Sequence, residues 1–128
     1  MGRAAGVLWV ASAWGGNLTR VDTKTGDMSF VPFPNPTAHQ PYATIVDKSH
    51  NVWAPMWTTD QIAKYDPTAG KWTVFDLPTR GTEVRLASLR DLPNGKLEVV
   101  FCYPRSSKVV AMTVRSEADL AELKRQAQ

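Results

Sequence analysis

The chain has 128 residues, 43% hydrophobic and 21% charged, a balance that belongs to folded globular proteins and excludes a disordered chain. No apolar run approaches the roughly 20 residues of a membrane span, so no membrane partner is expected. Net charge is +3, with six basic against six acidic side chains over residues 1–78 and nine against six over residues 79–128; this surplus is mild and carries no interleaved aromatic platforms, so no nucleic-acid partner is expected.

From the N-terminus, Gly6 to Ala13 reads as a strand. MGRAAGVLWVASA imitates a secretory leader, with a basic residue, a short apolar stretch and Ala11 to Ala13. The expectation is nevertheless a strand and no leader, because Leu8 to Ala11 is matched later in the chain by Val52 to Pro55. Trp14-Gly15-Gly16-Asn17 reverses the chain. Leu18 to Asp22 alternates apolar and polar residues as a half-buried second strand does. Asp22-Thr23-Lys24-Thr25-Gly26 is a tight turn, and Met28 to Phe33 the next strand, closed by Pro34 and Pro36.

The pattern then repeats. Leu8 to Pro34 aligns without a gap on Val52 to Pro78, 44 residues later: Trp9 meets Trp53, Arg20 meets Lys64, Asp22 meets Asp66, Gly26 meets Gly70 and Pro34 meets Pro78. A strand-rich repeat of this period identifies one four-stranded propeller blade per repeat. The second unit reads as Tyr42 to Asp47, Val52 to Met56, Gln61 to Asp66 and Lys71 to Leu77. The third reads as Val84 to Asp91, Lys96 to Tyr103 and Lys108 to Arg115, with Asp91 again 44 residues after Asp47. Counted this way the first blade lacks its opening strand and the third its closing one.

Ser116 to Asp119 has the form of a capping box, and Leu120, Leu123 and Ala127 follow at helical spacing. A short helix over 116–128 is therefore predicted, packed on the outer edge of the third blade, where a bare strand would invite aggregation. The fold class is all-β, a partial β-propeller of about three four-stranded repeats of 44 residues with a short C-terminal α-helix. Its blades span about 1–34, 41–78 and 84–115, within a propeller region of 1–115. Propellers close with about 4 to 8 blades. Either further blades precede these, or copies of the chain assemble. The single cysteine, Cys102, lies in the strand-like VVFCYP and is expected to be a buried, inert thiol.

Antiparallel strand order places the loop between second and third strands and the loop between blades on one face, around the central channel. That face collects 14–17, 35–41, 57–61, 79–83 and 104–107, and function in a propeller concentrates on such loops. Trp14 and Trp57 could stack on a planar or apolar ligand. His39 could act as a base or a ligand, Asp60 and Glu83 could bring carboxylates to the channel, and Arg85 and Arg105 could clamp an anion. For His39, flanked by Pro36 and Pro41, a merely solvated loop side chain is the alternative, for Asp60 a turn-bonding role, and for Arg85 and Arg105 salt bridging or solvation. Trp9 and Trp53, inside strands, are expected in the core. No metal-ligand spacing, glycine-rich phosphate loop or nucleophile elbow is present.

Pro41-Tyr42 followed by Asp47, Asn51-Val52-Trp53 and Gln61-Ile62-Ala63-Lys64-Tyr65-Asp66 resembles the repeat of the streptogramin B lyases (virginiamycin B lyases) and their propeller relatives. The likeness is good over Leu8 to Leu77 and looser over Val84 to Arg115. The resemblance implies a seven-bladed propeller that opens a cyclic depsipeptide at its ester by elimination, with a divalent metal, usually Mg2+. It also implies a periplasmic or secreted location. The family's catalytic His belongs to a Pro-His-Gly-Ile type motif, and Tyr42 stands in its place. Met56 stands where a Glu follows the Trp-bearing strand. Neither side chain replaces an imidazole base near neutral pH.

The expected function is thus ligand binding by the last three blades of a longer lyase-like propeller, the ligand being a small molecule or peptide on the channel face. Carbon–oxygen lyase chemistry would follow only if other blades supply it. The alternative is a non-catalytic module that self-associates to complete the ring.

Overall fold

The computed structural model describes residues 2–4 and 6–128, and its strands fall into three antiparallel sheets. The first holds β1 (Gly2–Ala4), β2 (Val7–Ser12), β3 (Asn17–Asp22) and β4 (Met28–Pro32) in that order. The second holds β5 (Ile45–Val46), β6 (Val52–Pro55), β7 (Gln61–Asp66) and β8 (Lys71–Asp76). The third is β9 (Ala87–Asp91), β10 (Leu97–Tyr103) and β11 (Lys108–Thr113), followed by α1 (Glu117–Gln126). These are the blades of a partial propeller. The first blade does not lack its opening strand: Gly2–Ala4 pairs antiparallel with β2, Gly2 opposite Trp9 and Ala4 opposite Val7. That strand is too short to show any hydrophobic alternation in the sequence.

Because side chains alternate across a strand, each blade wall faces two ways. Trp9, Leu18 and Phe33 of blade 1 meet Val52, Ala54, Met56 and Ala63 of blade 2 in one core. Trp53, Ile62 and Leu77 of blade 2 meet Val84, Val99, Phe101 and Tyr103 in the other. Trp9 and Trp53 are both buried, as their strand positions predict. Full burial of each indole removes a large apolar area from water, about 25 cal/mol per Å2.

The turns explain the period. Asp22 accepts from the amides of Lys24 and Thr25, and Asp66 repeats this with Thr68 and Ala69, each followed by a glycine at positive φ. The two amides hold the Asp22 carboxyl below its ordinary range. Asp47 organises the β5–β6 turn more elaborately. Its Oδ1 accepts from the Ser49 and Asn51 amides, and its Oδ2 from the Trp53 indole N–H at 2.9 Å.

The third blade departs from the 44-residue register. The bond from the Asp47 amide to the Asn51 carbonyl is matched by one from Leu92 to Lys96, and His50→Asp47 by Gly95→Leu92, so the offset is 45 residues, not 44. Asp91 therefore does not take the part of Asp47. A one-residue shift exchanges the faces of a strand. Glu98, not an aromatic residue, takes the place of Trp53; it is buried and paired with Arg90 Nη2 at 2.6 Å. The same alternation turns Cys102 away from the core, and its thiol is exposed rather than buried.

Ser116 caps α1 through the reciprocal bonds of a capping box with Asp119. A bond from Lys96 Nζ at 2.9 Å, then the Ser116 amide and hydroxyl, hold the Asp119 carboxyl down at about 2. Leu120 of the helix lines a cavity of about 300 Å3 with Phe75, Met112 and Val114, beside one end of β11, and Val109 of that strand is 75% exposed. No helix among the described residues is long and apolar enough to cross a membrane.

Candidate functional site

The loops predicted to share the channel-side face do bring their aromatic residues together. Trp14, in the β2–β3 loop, and Trp57, after β6, lie edge to face with ring centroids 6.1 Å apart. Tyr42 meets Trp57 at 6.4 Å, and the Arg85 guanidinium lies 5.9 Å from the centre of the Tyr42 ring. Such contacts contribute about 0.5–1.5 kcal/mol per aromatic pair and hold the rings at fixed angles. Trp14 is 82% exposed and Tyr42 48%, so the row offers its faces to solvent.

Local backbone geometry builds this row. Gly16, at φ +59, packs against the Pro36 carbonyl, and its own carbonyl accepts from the Phe33 amide. The loop carrying Trp14 is thereby tied to the segment that leads into blade 2. Trp57 is fixed from the other side by its amide, which donates to the Gln40 carbonyl, while Thr58 Oγ1 donates to that of Ala38.

The remaining predicted residues divide. His39 is neither a free base nor solvated: it is buried, its Nδ1 accepts from the Asn35 amide, and Nε2 lies 3.1 Å from Gln61 Oε1. With Nδ1 accepting, Nε2 carries the proton and donates. Gln61 in turn donates to Asp76, so the imidazole is a strut between the inter-blade loop and blade 2. Asp60, at φ +51, accepts from the Gly81 and Thr82 amides and the Thr82 hydroxyl. Desolvation opposes ionisation there, but these donors outweigh it and lower the carboxyl's pKa. Glu83 Oε1 pairs with Arg105 at 2.9 Å, which leaves Arg85 the cation beside the aromatic row. A cavity of about 300 Å3 lies between the two sets, lined by Trp57, Thr58, Asp60, Gly81 and Glu83.

Met56 is wholly buried in the first core. Among the described residues no three His, Cys, Asp or Glu side chains converge as a metal site would need. The sequence reading missed the Asn35–His39–Gln61–Asp76 chain; the spacing of prolines around His39 gave no sign that a glutamine 22 residues away would meet it.

The three sheets and their channel-side loops define a partial β-propeller. Comparison with solved structures makes the class more particular: the chain has the fold of streptogramin B lyase, superposing with a TM-score of 0.66 at 18% identity over 91% of its length. It spans 40% of the length of that lyase. A second similar structure is the extracellular domain of a protein from B. thetaiotaomicron described as a one component system, with a TM-score of 0.56 at 16% identity, over 87% of this chain and 16% of that one. At these identities the likeness establishes the fold. No protein-family model matches the chain, and no curated protein matches it by sequence.

Proposed function

We propose that the chain is a ligand-binding segment of a streptogramin-lyase-like propeller, taking a small molecule or peptide with an apolar, planar part on its channel-side face. The observation that supports this is the row of Trp14, Tyr42 and Trp57, set edge to face with Arg85 at its end. Aromatic faces take up apolar or conjugated surface, and the guanidinium at the end of the row suits an oxygen-rich or anionic group. Elimination chemistry would need a base from elsewhere, because both His39 nitrogens are engaged and Met56 is buried.

Titration of the chain's tryptophan fluorescence with a streptogramin B cyclic depsipeptide tests the reading. Saturable quenching is expected, and Trp57→Ala should weaken it about tenfold, equivalent to roughly 1.4 kcal/mol. Mass spectrometry should find the depsipeptide ring intact after incubation with Mg2+. An unchanged affinity in Trp57→Ala removes the aromatic row from the site; a ring-opened product shows that these blades are catalytic after all.

A second reading is favoured by the outer face of blade 1. Met28 and Phe30 are each 66% exposed, yet one repeat later their counterparts Trp72 and Val74 pack against the first core. Blade 1 thus presents a wall of the kind that elsewhere in this chain is covered by a blade. In this reading the cover is a second copy, whose blade 3 offers Leu86 and Val109. Sedimentation at micromolar concentration should then show dimers or larger rings. A monomeric mass with cooperative unfolding sinks self-association and leaves the ligand-binding reading intact.

A further inference from the structure

On the face opposite the aromatic row, between blades 1 and 2, lies a cavity of about 450 Å3 lined by Val7, Trp9, Arg20, Ser49, His50, Pro67 and Thr68. We propose that it is a binding site for a small organic anion, a carboxylate or phosphate head on an apolar body, with Arg20 and His50 on the head and Trp9 and Val7 against the body.

Arg20 supplies the charge. It stands opposite Trp9 in the β2–β3 ladder, as Lys64 stands opposite Trp53 in β6–β7. Lys64 is used internally, its ammonium lying 5.8 Å from the centre of the Trp53 ring. Arg20 pairs with no carboxylate among the described residues. Asp22 feels its field, but the Asp22 carboxylate is bonded to the Lys24 and Thr25 amides. A half-buried guanidinium in a partly apolar cavity has five donors in a planar fork, which match two oxygens of one anionic group.

His50 is the second observation. Its φ is +67, the left-handed region, where a residue other than glycine is strained. The corresponding position of blade 3 is Gly95, at φ +79, in a turn with the same backbone bonds. Glycine would make the same turn at lower cost, yet here the turn carries an imidazole at the cavity rim. The walls are rigid as well: the Asp47 carboxylate fixes the amide of Ser49, and that of Asp66 fixes the amide of Thr68, each at 2.9 Å. Ser49 and Thr68 line the same cavity and carry hydroxyls that can donate to an anion.

The test is nuclear magnetic resonance on the isotope-labelled full chain, titrated with phenyl phosphate, phenylacetate and the uncharged phenylacetamide. Both anions should shift the Trp9 indole and His50 resonances saturably, with a concentration dependence separate from any change at Trp14 and Trp57, and their relative affinities tell phosphate from carboxylate. Phenylacetamide should do neither, and Arg20→Gln should weaken the anions about tenfold. Equal shifts with phenylacetamide, or a folded Arg20→Gln chain that binds as well as before, would overturn the proposal. His50→Gly guards against misfolding, since it relieves the left-handed strain. It should raise the melting temperature and weaken the anions several-fold; a stabilised variant with unchanged affinity also overturns the site.

Discussion

Gly16→Ala is expected to destabilise the chain by about 3 kcal/mol or more and to scatter the aromatic row. A Cβ there would overlap the Pro36 carbonyl, backbone against backbone, so neither partner can yield by turning a side chain. The residue is also at φ +59, a region that alanine enters only with strain. The loop would have to lift away from the inter-blade segment, giving up the Phe33 amide bond to the Gly16 carbonyl and carrying Trp14 away from Trp57. Gly26→Ala is the matched control: φ is +80, but nothing lies within 4 Å of the added carbon, so it should cost about 1–2 kcal/mol of backbone strain alone. Urea midpoints at constant slope measure both. Equal losses would mean that the close approach at Pro36 is not what holds the loop.

Asp47→Ala should cost about 3 kcal/mol. One carboxylate satisfies the Ser49 and Asn51 amides, the Asn51 side chain and the Trp53 indole, and Trp53 is only 1% exposed. Without it the indole N–H is left without its partner in the second core, and the turn loses both of its fixed amides. Trp53→Phe removes the indole donor and should be partly redundant with Asp47→Ala. A double-mutant cycle between them is expected to give a coupling of about 1 kcal/mol or more. Strict additivity would show that the indole bond contributes nothing.

How much of this was legible from the residues depended on whether the residue's job was local. The blade period, the Asp–Gly turns and the Ser116–Asp119 cap were readable because each is decided within a few positions of the chain. The register of blade 3 was not: Asp91 matches Asp47 in identity, but the backbone bonds place Leu92 in that role. With a side-chain period of two, that single residue decides whether Leu97 or Glu98, paired to Arg90, takes the place of Trp53. Cys102 was misjudged for a related reason. Membership of an apolar strand says nothing about which face points to a neighbouring blade, and its side chain is on the outward face. The channel-side loops could be listed from topology alone. Which of their residues meet could not, since the engagement of His39 by Gln61 and of Asp60 by Thr82 depends on pairings 22 residues apart.

The two cores have no residue in common, and strands of blade 2, β6 among them, stand between them. Val52 and Ala54 point into one core and Trp53 into the other, so this strand is a membrane stretched between two packed chambers. Pressure applied on either side must be felt on the other, because close-packed side chains transmit displacement rather than absorb it. Trp57 stands one residue beyond Met56, just past the end of that strand, and Asp47 grips its start through the Trp53 indole. The aromatic row on one face and the Asp47 turn on the opposite face are thus joined through one strand of four residues.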